Sequence, residues 1–490
     1  MLKYILKAES FADKTAIIFN KQSYSYTELS RVSKYVSANL LEEKNDLSED
    51  RVAFMVNPGF DYVATQWGIW QAGGVAVPLC VGHPLNSLEY VIKDSGAKII
   101  IADECYLELL QQLAQDEGIL LYSTSSIQQI KKLKLPQLDN SRKAMILYTS
   151  GTTNLPKGVV STFSNLEAQV DTLLEAWEWQ DSDHVLCLLP LHHVHGIVNV
   201  VCCSLAAGAT CQFLDKFSPE AIFNIFKQQE VNVFMAVPTI YFKLIAFWDT
   251  LSPSEQESIR SYFEYFRLMV SGSAALPVTV MDRWEIISGH TLLERYGMTE
   301  IGMAISNSYR GERLAGFVGK ALPGVEVRLA SDDDHVVTGE PGEIQIKGAN
   351  VFVEYWQRPD ETIKSFTADG WFKTGDIAIL ENDNYKILGR NSTDIIKSGG
   401  YKISALEIEE VLRTHPAIAD CAVMGIEDQE WGELVVAALE AKSNTDIKEI
   451  NTWIRDRMAS YKTPKRYIIV SELPRNTMGK VIKSDVKTLF

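Results

Sequence analysis

The stretch Ala144-Met-Ile-Leu-Tyr-Thr-Ser-Gly-Thr-Thr-Asn-Leu-Pro-Lys-Gly158 sets an unbroken apolar run against a turn rich in hydroxyls and glycine. The apolar half reads as a strand buried on both faces, the usual state of a parallel sheet covered by helices. From Tyr148 onward, eleven residues hold four aliphatic hydroxyls, two glycines and one lysine. Glycines let backbone N–H groups approach a phosphate, hydroxyls add donors, and Lys157 adds a point charge, so the turn reads as an anion cradle. It is not the G-x-x-x-x-G-K-[ST] loop, because Lys157 precedes Gly158 and Val159 rather than a hydroxyl.

The same rhythm extends to either side. Apolar runs recur at Arg51-Val-Ala-Phe-Met-Val56, Gly74-Val-Ala-Val-Pro78, Ala97-Lys-Ile-Ile-Ile101, His184-Val-Leu-Cys-Leu-Leu189 and Val231-Asn-Val-Phe-Met235. Helix-length segments separate them, the first predicted to start at Thr27 with Leu29, Val32, Val36 and Leu40 on one stripe. After about Gly316 the texture turns to strands and turns, with Val325-Glu-Val-Arg-Leu329, Gly342-Glu-Ile-Gln-Ile-Lys347 and Tyr385-Lys-Ile-Leu388. From Ser404 a compact α/β pattern follows. The expected fold is therefore α/β, with helix-flanked sheets and a β-barrel-like subdomain in a large domain over 1–390 and a small α/β domain over 391–490.

Composition narrows the function classes. The chain has 490 residues, 46% hydrophobic and 22% charged, ample for several cores. A net charge of −16 has the wrong sign for gripping nucleic acid or anionic lipid by bulk attraction. The seven cysteines form no C-x-x-C pair, and the N-terminus carries no export or transit pattern, so reduced thiols and a cytoplasmic location are expected. The apolar segment from Ile197 to Leu214 is broken by Asn199, Ser204, Gly208, Thr210 and Gln212, which predicts a buried helix and strand and no membrane span.

The 148–158 turn is similar to the phosphate-binding signature of the adenylate-forming superfamily, which includes acyl-CoA synthetases, adenylation domains and luciferases. Asn154 stands where that signature usually has glycine, and asparagine tolerates left-handed backbone angles. Later motifs match in order: Glu294-Arg-Tyr-Gly-Met-Thr-Glu300, Trp371-Phe-Lys-Thr-Gly-Asp376, Gly389-Arg390, Asp394-Ile-Ile-Lys-Ser-Gly-Gly-Tyr401 and Pro474-Arg-Asn-Thr-Met-Gly-Lys480. The resemblance implies ATP, Mg²⁺ and CoA as co-substrates or cofactors. It assigns Thr149, Ser150, Gly151, Thr152, Thr153 and Lys157 to phosphate, and Gly272, Ser273, Ala274, Tyr296, Gly297 and Met298 to the nucleotide pocket. It further assigns Thr299 to the α-phosphate, Glu300 to Mg²⁺, Asp376 and Arg390 to the ribose, and Lys480 to the reacting carboxylate and α-phosphate. After adenylation the small domain of this family rotates near a position like Asn391 or Ser392 and presents glycines like Gly399 and Gly400 to the incoming thiol.

The acid is read from Leu189-Pro-Leu-His-His-Val-His-Gly196 together with Arg295. Here His193 takes the family's acyl-pocket histidine position and His195 is an added polar group. An imidazole and a guanidinium suit a second carboxylate, since a buried anion needs a hydrogen-bonding cation. An ion pair of Arg295 with Glu294 or Asp282 is the structural alternative. With Leu293 to Asn307, this combination resembles malonyl-CoA synthetases, which implies malonate, ATP and CoA yielding malonyl-CoA, AMP and pyrophosphate. A ligase for a short-chain or aromatic monocarboxylate and a non-catalytic nucleotide-binding regulator are the competing readings. An amino-acid-activating domain is disfavoured because Val233-Phe-Met-Ala-Val-Pro238 offers no acidic group for a substrate ammonium.

Overall fold

The computed structural model of the chain describes residues 2–129, 134–149, 155–442, 446–476 and 479–490, and the apolar runs become buried strands in it. Val233 and Met235 face one core while Phe234 and Ala236 face another. Val52 and Phe54 are likewise separated from Ala53 and Met55. Successive strand side chains leave on opposite faces, so a strand covered on both sides must be apolar throughout.

Two large sheets result. In the first, nine strands neighbour one another in the order Lys320–Ala321, Gly302–Ser306, Leu293–Met298, Leu268–Ser271, Val233–Ala236, His184–Cys187, Thr210–Phe213, Thr15–Phe19 and Gln22–Ser25. Its interior is parallel and its two rims are antiparallel. The second sheet has seven strands, ordered Glu354–Tyr355, Lys157–Thr162, Lys143–Thr149, Val75–Pro78, Arg51–Met55, Ile99–Ala102 and Leu120–Ser123. Side chains from both sheets and from the helices Tyr26–Leu41, Phe60–Gln71 and Phe163–Ala176 share the central core, with Trp70 and Phe163 fully buried.

The first of these helices starts before Thr27. Ser25 Oγ accepts from Glu28 N at 3.2 Å while Glu28 Oε2 accepts from Ser25 N at 2.8 Å. This reciprocal cap satisfies two orphan N–H groups at once and leaves Thr27 inside the first turn. The apolar segment after Ile197 lies within the π-helical turn His195–Cys202, the helix Cys203–Ala207 and the strand Thr210–Phe213. Among the described residues no helix is long and apolar enough to cross a membrane.

The β-rich segment forms an antiparallel four-stranded sheet ordered Val325–Ala330, Gly342–Gly348, Phe372–Glu381 and Asn384–Arg390. The next strand, Ile395–Ser398, belongs to the small domain's five-stranded sheet, with Tyr401–Ser404, Gly432–Ala441, Ile418–Asp428 and Arg466–Val470. The helices Ala405–Arg413 and Ile447–Arg455 cover one face of that sheet through Ile408, Leu412, Ile450 and Ile454.

Candidate active site

Four strands of the nine-stranded sheet end side by side: Leu293–Met298, Leu268–Ser271, Val233–Ala236 and His184–Cys187. They run parallel, so their carboxyl ends share one edge. In open parallel sheets that edge is where ligands bind. The chain leaving those ends carries His192, His193 and His195, then Thr239, then Gly272, Ser273 and Ala274, then Thr299 and Glu300. Residues spread over more than a hundred positions of sequence are thus gathered at one crevice.

Arg295 lies on one wall and is 3% exposed. Its Nη2 donates to Ser273 Oγ at 3.4 Å, and that hydroxyl lies 3.1 Å from Nδ1 of the buried His195. A Cβ on Gly272 would come within 2.5 Å of the guanidinium, so glycine is what admits the arginine there. Ser273 holds this place at a φ of +70°, a left-handed angle that is costly for a residue with a Cβ.

Neither ion pair considered for Arg295 forms. Glu294 leaves the strand on the opposite face, where it accepts from Leu276 N at 3.0 Å. Among the described residues no carboxylate pairs with Arg295, and both its Nε and His195 Nε2 are buried without a hydrogen-bond partner. Burial pushes the Arg295 guanidinium down to about 9, which leaves it protonated at neutral pH. Burial, reinforced by Arg295, pushes His195 well below the usual imidazole range and keeps it neutral. His192 and His193 have ring centroids 4.1 Å apart, and burial pushes them down to about 3 and about 4.

A second group of residues lies further along the same edge. Tyr296 Oη donates to Asp376 Oδ2 at 2.6 Å, and Arg390 Nη1 donates to Asp376 Oδ1 at 3.3 Å. Asp376 and Arg390 are register partners on adjacent strands, so the β-rich sheet delivers both together. A Cβ on Gly297 would fall 2.1 Å from the carbonyl oxygen of Gly302, so only glycine fits that bulged position beside Met298. Thr299 is half-buried in the turn that follows, and Glu300 is buried with Oε1 accepting from Tyr355 Oη at 2.9 Å. Burial pushes the Glu300 carboxyl up.

Thr149 and Lys157 face each other across the antiparallel pair of strands that flanks the hydroxyl-rich turn. Ser150, Gly151, Thr152 and Thr153 lie outside the described residues. Lys157 Nζ pairs with Glu361 and stands 5.4 Å from the Tyr355 ring centroid. Tyr355 and Glu361 thus belong to the site although their local sequence carries no chemical signature. Only the antiparallel pairing of Glu354–Tyr355 with Lys157–Thr162 brings them in.

The small domain reaches the crevice through its tail. A Cβ on Gly479 would meet Thr239 Oγ1 at 2.7 Å, so the chain just before Lys480 leans on the first turn of the helix Pro238–Trp248, which follows strand Val233–Ala236. Glu410 Oε2 accepts from Val278 N at 3.1 Å across the same boundary. Gly399 and Gly400 form the exposed turn between Ile395–Ser398 and Tyr401–Ser404, with φ of +57° and +83°, and Trp431 covers Gly399. Beside this turn Tyr401, Tyr461, Trp431 and Lys465 line a cavity of about 140 Å³.

Residues 6–356 match the AMP-binding enzyme family, and residues 407–480 match the AMP-binding enzyme C-terminal domain. The mitochondrial malonate–CoA ligase ACSF3 of Xenopus laevis is 42% identical over 526 residues, spanning 99% of this chain and 91% of that protein. A malonate–CoA ligase of Arabidopsis thaliana is 39% identical, spanning 98% and 87%. Among solved structures, ATP-bound MatB from Rhodopseudomonas palustris superimposes with a TM-score of 0.90 at 31% identity, covering 98% of each chain. A malonyl-CoA ligase holding methylmalonyl-CoA and AMP superimposes less well, with a TM-score of 0.70 at 32% identity over 95% and 98%. The chain belongs to the AMP-binding, adenylate-forming enzyme family, and along nearly its whole length it is similar to malonate–CoA ligases.

Proposed function

We propose that this protein joins malonate to CoA using ATP, through a malonyl-adenylate, to give malonyl-CoA, AMP and pyrophosphate. The observation that carries the reading is the buried Arg295 with no carboxylate of its own, set beside His195 and Ser273. A buried charge left uncompensated is costly, and the distal carboxylate of malonate supplies the missing partner while its neighbouring hydroxyl and imidazole orient it. A monocarboxylate leaves that cost in place.

Adenylation forms a bond between a malonate oxygen and the α-phosphorus and breaks the bond to pyrophosphate. Lys157, Thr149 and the 150–153 turn hold the departing phosphates, and Thr299 contacts the α-phosphate. Tyr296, with Gly297, Met298 and the backbone of 272–274, walls the base, and Asp376 with Arg390 binds the ribose hydroxyls. Lys480 bridges the attacking carboxylate and the α-phosphate, where a preorganised ammonium is stronger in the transition state than in the ground state. His193, held neutral, lines the acyl side without adding charge.

Glu300 is the buried carboxylate that would hold Mg²⁺. Among the described residues no cluster of three acidic, histidine or cysteine side chains holds a metal alone, and Mg²⁺ characteristically takes one or two carboxylates plus substrate phosphates. When bound, the ion neutralises charge developing on the phosphates.

Thioester formation then makes a bond from sulfur to the malonyl carbon and breaks the bond to AMP, with the small domain of 391–490 turned against the 1–390 domain so that Gly399 and Gly400 flank the thiol. All seven cysteines are free and six are buried, which fits a reducing compartment, whether the cytoplasm or the mitochondrion for which the vertebrate relatives are named; cell fractionation separates the two.

The test is CoA-dependent AMP formation across malonate, methylmalonate, succinate, acetate, propionate, butyrate and benzoate. Malonate is expected to give the highest kcat/KM. A monocarboxylate turned over faster than malonate overturns the reading.

A further inference from the structure

Lys480 itself is exposed, yet the chain on either side of it is tied down by largely buried ion pairs. Before it, Arg475 Nη2 donates to Asp420 Oδ2 at 2.5 Å and Nη1 to the carbonyl of Gly479 at 3.0 Å. After it, Lys483 Nζ lies 2.7 Å from Asp394 Oδ1 and 2.8 Å from Glu409 Oε1. Arg413 closes the frame, donating Nε to Asp420 Oδ1 at 3.0 Å and Nη2 to Glu409 Oε2 at 3.3 Å. The turn is also closed by its own backbone, with Asn476 N donating to Lys480 O at 2.9 Å and Ile482 N to Pro474 O at 2.8 Å.

Asp394 joins this frame to the nucleotide side. Its Oδ2 accepts from the backbone N of Arg390 at 3.0 Å, and Arg390 is the residue whose side chain bonds Asp376. A Cβ on Gly389 would lie 2.4 Å from Asp394 Cβ, so glycine at φ +130° is what lets the carboxylate close on that backbone. The segment from Arg390 to Asp394 is the one in which the proposed pivot lies.

We propose that Lys483 is the positioning residue for Lys480: clamped between Asp394 and Glu409, it fixes the leg of the turn that follows Lys480 and, through Asp394, sets that leg against the backbone of Arg390. This rests on the role proposed above for Lys480. Because the frame lies beneath the turn rather than in the crevice, it governs where the ammonium stands without touching substrate.

The full-length enzyme tests this with Lys483→Met, Lys483→Arg and Asp394→Asn, followed by malonate-dependent ATP–pyrophosphate exchange, by thioester formation from supplied malonyl-adenylate, and by thermal melting. Misplacing a catalytic group by about 1 Å costs about 10²-fold, so Lys483→Met is expected to lower the kcat of exchange by about that factor. The KM for malonate and the thioester step are expected to stay near their original values, and Lys483→Arg to restore exchange. Should Lys483→Met fail to fold, Asp394→Asn, which keeps the shape and loses the charge, carries the same expectation of impaired exchange. Equal losses in both half-reactions, or unchanged exchange, overturn the inference. Lys480→Ala separates the levels: unchanged exchange in that variant removes the parent reading and this one together, whereas lost exchange there with full exchange in Lys483→Met and Asp394→Asn overturns this inference alone.

Discussion

Arg295 is buried and so is the ammonium of Lys483, and the two cations differ in who neutralises them. Lys483 has two carboxylates of its own chain within 2.8 Å, and although burial pushes its pKa down, Glu409 and Asp394 outweigh that and leave it raised. Arg295 pairs with none among the described residues, and burial outweighs the opposing pull of Glu294. The first arrangement is a fixture, since its charges compensate each other in every state of the enzyme. The second is incomplete until an anion arrives. Neighbouring sequence hides the contrast, because each cation has an acidic residue close by, Glu294 before Arg295 and Asp485 after Lys483. Adjacent residues on a strand point to opposite faces, so the nearest carboxylate in sequence is the one that Arg295 cannot use.

Swapping each cation for methionine is the most severe way to break this comparison. In Arg295→Met, kcat/KM for malonate should fall by about 10²–10³-fold, or ~3–4 kcal/mol, because a buried carboxylate loses its charged partner. Turnover of propionate, which has no second carboxylate, should change little. The same substitution should leave thermal stability unchanged or raised, since it removes an uncompensated charge. Lys483→Met should do the reverse to stability and cost about 1.5–3 kcal/mol, because Asp394 loses its cation while Glu409 keeps Arg413. Denaturant melts of the two variants side by side decide it: a destabilised Arg295→Met would mean the guanidinium is a structural fixture as well.

The fold was largely legible in the sequence, and the motifs nominated site residues. Apolar runs on both strand faces announced covered parallel sheets, and the ordered motifs named Lys157, Glu300, Asp376, Arg390 and Lys480. What periodicity could not show was how the site is wired. Tyr355 and Glu361 enter by strand pairing alone, far from any motif. The frame under Lys480 joins residues up to 89 positions apart, Asp394 and Lys483, of types that usually mark a solvated surface. The first long helix starts at Tyr26, one residue before the expected Thr27, because a Ser-x-x-Glu box at Ser25 caps it better than a lone Thr27.

A gentler perturbation isolates the hydroxyl between Arg295 and His195. Loss of one hydrogen bond to a charged group is worth ~1.5 kcal/mol, so Ser273→Ala and Ser273→Gly should each lower kcat/KM for malonate by about 10-fold. Their stabilities should separate, because the left-handed φ of +70° costs alanine about 1 kcal/mol that glycine does not bear. Equal stability would mean the backbone relaxes once the hydroxyl is gone. Unequal activity would mean that the strain itself aims the chain.

The smallest effect falls on the opposite face of the same strand. Burial raises Glu294 from a usual 4.5 to about 8, with the Leu276 N–H opposing and Glu410 across the domain boundary reinforcing; Arg295 opposes last. Between those two values the folded chain holds a proton that the unfolded chain has released. Its stability contribution is therefore full below about pH 4.5 and declines as pH rises to about 8, by on the order of 1 kcal/mol per pH unit. His192 and His193 act with the other sign, since burial lowers both and their contribution is lost as pH falls below the usual 6.5. Glu294→Gln keeps an acceptor for Leu276 N and cannot ionise, so denaturant melts at pH 5, 6.5 and 8 should show a variant whose advantage over the unsubstituted enzyme grows steadily with pH. Its preference for malonate should be untouched, because the acid proposed to meet Arg295 would lie across the strand from it. A variant that loses that preference would show that the two faces communicate, and Arg295 would then be a buried cation with a distant partner after all.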